Sequence, residues 1–386
     1  MNNDIYSESI ALHKKARGKL EIRSKVPLAD KNDLSLAYTP GVAEPCRKIK
    51  DDKSLVYEYT SRWNTVAVVT DGSAVLGLGN IGAEAALPVM EGKAILFKEF
   101  GGVDAIPICI SSQNPEDIIK TVTMISPGFG GINLEDISAP RCFAIEQKLI
   151  ETLSIPVFHD DQHGTAVVVL AALANALKIV GKKIGEIQIV INGAGAAGIA
   201  ITKFLRYAGA EKIMLCDTKG IICSERTENM NPAKQDILKY LMPSKSGSLA
   251  DTMKGADVFI GVSVPDCVSE DMVRSMNKNA IVFPMSNPVP EIMPEKAKKA
   301  GAAVIGTGRS DFPNQINNLL AFPGIFRGVF DARASKITEK MKMAASIAIA
   351  GCVPENKLSA DCIIPSPLDK KVGEKVAESV AAASRT

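Results

Sequence analysis

Apolar positions along the chain recur with two periods, and the alternation of those periods sets out the expected architecture. Residues 4 to 17 suggest a helix, followed by a polar, proline-containing stretch to Asp33. Thr65 to Val69 and Asp104 to Ile110 are apolar runs of strand length, and Asn114 to Ile125 reads as a helix opened by Asn114 and Pro115. Gly131 to Leu134 reads as a strand, Pro140 to Thr152 as a helix with Phe143, Ile145, Leu149 and Ile150 on its apolar face, and Ile155 to Phe158 as a further strand. A strand then runs into Gly193, a helix spans Ala196 to Ala208, Gly209 stops it, and the strand Ile213 to Cys216 ends in Asp217. Strands follow at Asp257 to Val262, Ala280 to Met285 and Ala303 to Ile305, separated by helical stretches. Ala332 to Thr386 reads as helices with an Ala-rich, frayed tail. The fold class expected is α/β: a doubly wound parallel sheet preceded by a second α/β unit.

The strand, helix, strand unit over 131–158 places two pairs of acids. A helical crossover makes its strands parallel, so Glu135 and Asp136 leave the first strand, and Asp160 and Asp161 the second, at one edge. Neighbouring strands lie about 4.8 Å apart, close enough for carboxylates from both to meet on one ion. All-oxygen ligation suits Mg²⁺ or Mn²⁺ better than Zn²⁺. The plainer alternative is helix capping, by Asp136 or Ser138 for one helix and Asp161 for the next. His159 and His163 stand four apart in HDDQH, which is not HExxH, and are expected to be structural.

Two stretches fit GxGxxG. Gly193, Gly195 and Gly198, with Ala196 and Ala197 between, sit in a complete strand, loop, helix, strand context ending in Asp217, as a dinucleotide pyrophosphate requires. Gly77, Gly79 and Gly82 stand apart from their strand, and Pro88 is expected to break the helix behind them; a turn at the substrate side is expected there. Lys93 and Lys98, five apart, do not share a helical face, so one can point inward. Tyr38, before Thr39, Pro40 and Gly41, is held at a turn. Asn287 falls at the carboxyl end of a strand, and Asn317 and Asn318 in a Gly/Pro/Asn-rich loop; by themselves these residues, like Tyr38 and Lys93, read as packing or turn chemistry.

Composition narrows the function classes. The chain has 386 residues, 46% hydrophobic and 23% charged, enough for two domains. A net charge of +2 without a basic run gives no footprint for nucleic acid or an anionic membrane. The N-terminus lacks an apolar core of signal-peptide length, and the most apolar run, Thr165 to Val180, is interrupted by Asn175, so a cytoplasmic protein without membrane partner is expected. The eight cysteines form no CxxC pair, and no disulfide framework is expected.

The segments LAYTPGVAEPC, VVTDGSAVLGLGNIG, GGINLEDISAP, FHDDQHGTAVV, INGAGAAGIA, MSNPVPE and INNLLAFPG together resemble malic enzyme in its short bacterial form, in collinear order over almost the whole chain. The resemblance implies oxidation and decarboxylation of L-malate to pyruvate and CO₂ with NAD⁺ or NADP⁺ and Mg²⁺ or Mn²⁺. It implies an N-terminal substrate and metal domain over 1–158 and a Rossmann-type domain with C-terminal helices over 159–386. Carried across by motif, it assigns metal ligation to Glu135, Asp136 and Asp161, the base to Lys93, the acid to Tyr38, and orientation of the lysine to Asp160. Asn287, Asn317 and Asn318 are implied contacts of substrate or nicotinamide. A homodimer is implied too, with Tyr38 reaching the neighbouring subunit's site.

Two departures stand out. Larger members carry an arginine in DGxRxLGLG that holds a malate carboxylate; here Ala74 takes its place, and Arg62 or Lys48 is expected to supply the cation. Asp217 is expected to bind the ribose 2′-hydroxyl of NAD⁺ and repel a 2′-phosphate, although Lys219 nearby resembles the NADP-using branch; NAD⁺ is slightly favoured. The competing readings are a malolactic-type or oxaloacetate-decarboxylating lyase on the same scaffold, and a nucleotide-binding regulatory protein with a decayed substrate site.

Overall fold

A computed structural model describes residues 3–75 and 77–385. Two sheets organise it. The first contains β1 (Thr65–Thr70), β2 (Asp104–Cys109), β3 (Gly131–Leu134) and β4 (Val157–His159), all parallel, in the order β2-β1-β3-β4. The second contains β5 (Gln188–Asn192), β6 (Lys212–Asp217), β7 (Gly220–Ile221), β8 (Val258–Gly261), β9 (Ile281–Pro284) and β10 (Val304–Ile305), in the order β10-β9-β8-β5-β6-β7. Within it, β7 is antiparallel to β6 and the other pairs are parallel. From β5 the chain moves first to β6 on one side, then to β8 on the other, so the switch point for a ligand lies between β5 and β8.

The register explains the meeting of the acids. Leu134 pairs with His159, and Val69 with Leu134, so Glu135, Asp160 and Thr70–Asp71 leave the sheet side by side. The helix Asp160–Val180 starts there and runs through the core. Its length and mean hydropathy of 1.7 would suffice to cross a membrane, but 67% of that stretch is buried inside the protein. Asn175 lies in its middle and is satisfied: its Nδ2 donates to the carbonyls of Ala350 and Ile363, both at 2.9 Å. The same apolar core takes in Val66 and Val68 of β1, Val167 and Leu173 of this helix, and Ile189 and Ile191 of β5, so the two sheets share one interior.

Two local expectations fail for identifiable reasons. Pro88 does not break the helix, which runs over Ala83–Gly101. Proline stands in the second turn, where its missing N–H removes only the bond to the Glu84 carbonyl. Its own carbonyl accepts from Lys19 Nζ at 2.7 Å. The C-terminal helix Lys370–Ser384 is no frayed tail: Val372, Val376, Ala377 and Val380 are buried. It lies against the helix Phe322–Asp331, where a Cβ on Gly328 would come within 2.4 Å of the Ala377 carbonyl oxygen. All eight cysteines are free.

The N-terminal arm contrasts with this interior. Its helices Asn3–Ala16 and Lys31–Ala37 leave Ile10, Leu12 and Leu36 exposed, and between them Leu28 is exposed and Ile22 is 98% exposed.

Candidate active site

At the carboxyl edge of the first sheet, ligand oxygens of Glu135, Asp136 and Asp161 lie within 4.8 Å of one another. Asp136 has φ 54°, a left-handed turn that swings its backbone N–H onto Asp161 Oδ2 at 2.9 Å. The capping alternative fails here. The helix Arg141–Thr152 has no side-chain cap, and Asp160 and Asp161 lie in the first turn of their helix, not ahead of it.

Lys93 enters from the fourth turn of Ala83–Gly101. Its Nζ lies 2.7 Å from Asp160 Oδ2, 2.8 Å from Glu135 Oε1 and 4.3 Å from the Phe322 ring centroid. Lys98 is the exposed one of the pair, bonded to Asp104 at 2.7 Å. Asn318 Nδ2 donates to the same Asp160 oxygen at 2.5 Å. Asn317 caps the short turn that follows, its Oδ1 accepting from Leu319 N–H at 2.9 Å.

These acids are under strain of charge. Burial, then Asp161, pushes Asp136 up to about 8. Burial raises Glu135 far above the usual carboxylate range although Lys93 opposes it, and Asp160 is raised for the same reasons. Burial would lower Lys93, but Asp160, Glu135 and Asp161 more than reverse it and hold the ammonium charged. Asp136 Oδ2 is buried without a partner among the described residues. An orphaned oxygen, three converging carboxylates and raised proton affinities together fit a hard divalent cation.

The histidines are structural. His159 is buried, with Nδ1 3.6 Å from Asp161 Oδ2. Glu146, which sequence reasoning missed, accepts from the His159 N–H at 2.9 Å and lies 3.0 Å from His163 Nε2, so one buried carboxylate fixes both ends of HDDQH. Position 74 does adjoin the acids, since Ala74 N–H donates to the Asp136 carbonyl at 3.0 Å. Arg62, one of the two expected cations, is not there. Arg62 stands at the opposite end of the sheet, donating to the Phe129 carbonyl, and Lys48 lies on the helix Ala43–Asp51, which has no buried residue. Arg141 pairs with Asp71 at 3.0 Å and so flanks the turn. Tyr38 ends the helix Lys31–Ala37 and is 67% exposed, with no bond to the lysine cluster among the described residues.

A cavity of about 870 Å³ opens over the ends of β5, β6 and β8, lined by Asn192, Gly193, Gly195, Asp217, Lys234 and Cys267. Gly193 has φ 114°, and a Cβ on Gly198 would stand 1.7 Å from the Gly193 carbonyl oxygen, so both positions need glycine. The helix Ala196–Tyr207 starts without a side-chain cap, leaving its first N–H groups for an anion. Asn287, beyond β9, is exposed, and a Cβ on Gly77 would stand 2.8 Å from its carbonyl oxygen, so the Gly77 turn packs closely against it.

Asp217 is already bonded on both of its carboxylate oxygens. Its Oδ2 accepts from Lys234 Nζ at 2.6 Å, Arg226 Nη2 at 2.7 Å and Asn229 Nδ2 at 3.1 Å, and its Oδ1 from the Lys219 N–H at 2.8 Å. Burial raises it, but these donors outweigh burial and hold it below the ordinary value. Lys219 is itself paired with Glu228 at 2.6 Å. The repulsion expected from Asp217 toward a 2′-phosphate is thus compensated by two cations that carry no motif signature.

The family pattern described as "Malic enzyme, N-terminal domain" matches residues 17–118, and "Malic enzyme, NAD binding domain" matches residues 162–384. The chain is 58% identical to the bifunctional malic/malolactic enzyme of Bacillus subtilis, covering 98% of this chain and 92% of that protein. It is 55% identical to the NAD-dependent malic enzyme of Geobacillus stearothermophilus, covering 95% and 77%. The crystal structure of malic enzyme from Pyrococcus horikoshii superposes with a TM-score of 0.95 at 51% identity, covering 99% of this chain and 90% of that one.

Proposed function

The chain belongs to the malic enzyme family, and from that premise we propose how its residues divide the work of converting L-malate to pyruvate and CO₂ with reduction of NAD(P)⁺. The observation that carries the assignment is the buried Lys93 shared between Asp160 and Glu135, beside three acids whose oxygens converge. Glu135, Asp136 and Asp161 hold the divalent cation, Mg²⁺ or Mn²⁺. Bound there, it supplies Lewis-acid polarisation of a substrate oxygen.

Lys93 removes the malate C2 hydroxyl proton, which requires that it first surrender its own. It is the counter-ion of the acids in the metal-free protein, a role that a cation on them takes over. Asp160 holds Nζ in place, itself bonded by Asn318, and Asn287 and Asn318, with Asn317, contact substrate or nicotinamide. Gly193 to Gly198 cradle the pyrophosphate of NAD(P)⁺, which accepts the C2 hydride. Loss of CO₂ leaves C3 to be protonated by Tyr38. An exposed Tyr38 on an arm of exposed apolar residues supports a homodimer in which that tyrosine serves the neighbouring site. Arg226 and Lys234 make the adenosine end tolerant of a 2′-phosphate, so NADP⁺ is accepted beside NAD⁺. We place the division between the two domains at 158/159, one residue before the first sheet ends at His159 and the shared helix begins at Asp160, and the protein in the cytoplasm.

The test is absorbance at 340 nm with L-malate and Mn²⁺, run with NAD⁺ and with NADP⁺, and pyruvate measured at the end. Reduced cofactor matching pyruvate one for one supports the reading. Lactate without reduced cofactor would favour the malolactic alternative, which the Bacillus subtilis relative's name brings forward.

A further inference from the structure

The amino edge of the first sheet, opposite the metal acids, holds a cavity of about 850 Å³. Arg62 and Trp63 stand there just before β1, Gly130 just before β3 and Pro156 just before β4. Four cations line it, Lys53, Arg62, Arg327 and Arg333, against the carboxylates of Glu58 and Asp331. Among the described residues only Arg327 of these cations is paired with a carboxylate, Asp331 at 2.7 Å, and its buried Nε has no hydrogen-bond partner. Arg62 donates Nε to the Phe129 carbonyl at 2.9 Å, which leaves its charge uncompensated. Arg333 is exposed just beyond the helix Phe322–Asp331, at φ 51°, a backbone region that costs arginine more than glycine or asparagine. The aromatic faces are already covered: Arg62 lies 5.0 Å from the Tyr57 ring centroid and Arg327 5.4 Å from that of Trp63. What the cavity still offers is charge and N–H donors, not a stacking surface.

We infer that this cavity binds a small multivalent anion through Arg62, Arg327, Arg333 and Lys53. Guanidinium groups present forked donors that match carboxylate and phosphate oxygens, and cations beside apolar walls gain more from a counter-charge than cations in open water. The site is physically continuous with the acid cluster. The helix that carries Arg327 begins at Phe322, whose ring lies under Lys93, and β3 runs from Gly131 here to Glu135 and Asp136 at its other end. A Cβ on Gly131 would touch Phe326 and Phe330 at 3.0 Å, so helix and strand pack without slack. The inference does not depend on the roles proposed for the catalytic residues.

The experiment is calorimetric titration of the whole enzyme, free of divalent metal, at fixed ionic strength, with NAD⁺ saturating the glycine-rich loop. Citrate probes a carboxylate source and inorganic pyrophosphate a phosphate source. Saturable binding of either one is expected, and the tighter probe identifies the source. The double variant Lys53→Ala, Arg333→Gly changes two exposed side chains with no ion pair among the described residues, and keeps the left-handed backbone comfortable. It is expected to weaken that binding at least tenfold while leaving the basal rate with malate unchanged. No saturable binding of either probe, or equal affinity in the double variant, would overturn the inference.

Discussion

Asp217 at the cofactor cavity and the acid cluster at the carboxyl edge of the first sheet show opposite electrostatics from the same kind of side chain. Asp217 has four donors around two oxygens and a proton affinity below the usual carboxylate value. Asp136 has an orphaned oxygen, the like charges of Asp161, Asp160 and Asp71 against one opposing lysine, and is pushed up to about 8. Burial alone does not explain this, since burial raises both. The difference lies in what the chain supplies to them: two cations for one aspartate at the cofactor end, and one lysine for four acids at the metal end. A carboxylate that the fold has already satisfied is a clamp, whereas a set that the fold leaves short of positive charge is a place for a cation.

Removing the one cation from the short side should give the largest effect. Lys93→Ala is expected to lower kcat by about 10³, the scale of a lost general base. Mn²⁺ binding, followed by electron paramagnetic resonance, should persist, because the three ligands remain. Intact turnover in the variant would remove Lys93 from the base role, and loss of Mn²⁺ binding would make it a structural counter-ion instead.

The second test reads the uncompensated acids through stability. In the metal-free protein burial and Asp161 push Asp136 up to about 8, against the ordinary 3.8, so between those values the folded state holds a proton that the unfolded chain has released. Its contribution is therefore fully present at acid pH and is lost as pH rises toward and through about 8. Glu135, raised in the same direction, adds to the slope. The melting temperature of EDTA-treated protein should fall from pH 5 to pH 8.5. Mn²⁺ at a hundred times its dissociation constant should add about 2.7 kcal/mol and flatten that fall. Parallel curves with and without metal would show that the acids are not its site.

How much of this contrast was legible beforehand follows from what each side depends on. The metal end depends on a parallel crossover, and the apolar runs around Gly131–Leu134 and Val157–His159 announce one, so the meeting of Glu135, Asp136 and Asp161 could be read from the sequence. The glycine loop at Gly193 was legible for the same reason, since each step of its strand, loop, helix context leaves a pattern. The clamp on Asp217 was not. Arg226 and Lys234 come from a stretch without periodicity, and nothing in the sequence tells which way those side chains fold back. Pro88 misled because its cost depends on its place in the helix, and the helix start was what the sequence left open. Arg62 was expected at the malate carboxylate, but it precedes β1 and so falls at the sheet's other edge, a distinction that strand direction could have made.

The third test sharpens the comparison from the satisfied side. Lys234→Gln leaves Arg226 on Asp217 but removes one of the two charges that offset it. A 2′-phosphate then meets a less positive surface, and kcat/KM with NADP⁺ should fall about tenfold, equivalent to roughly 1.4 kcal/mol. The value with NAD⁺ should hardly move. Equal losses with both cofactors would mean that Lys234 supports the cavity's shape and not its choice of nucleotide.

The smallest effect is the one whose sign separates the two acid groups most directly. Arg226 and Lys234 hold Asp217 below the ordinary 3.8, so here the unfolded chain takes up a proton first as pH falls. The contribution is present above that value and disappears as pH drops through the lower folded one, opposite in direction to the loss at Asp136. Although its side chain is only 9% exposed, Asp217 lines the open cofactor cavity, so solvent screening limits the contribution to about 1 kcal/mol. Urea unfolding of the wild type and Asp217→Asn should differ by that amount at pH 7, and the difference should narrow as pH falls below 3.8. A gap that did not narrow there would locate the stabilisation in the shape of the hydrogen-bonded cage, and charge would no longer be what distinguishes the two ends of the molecule.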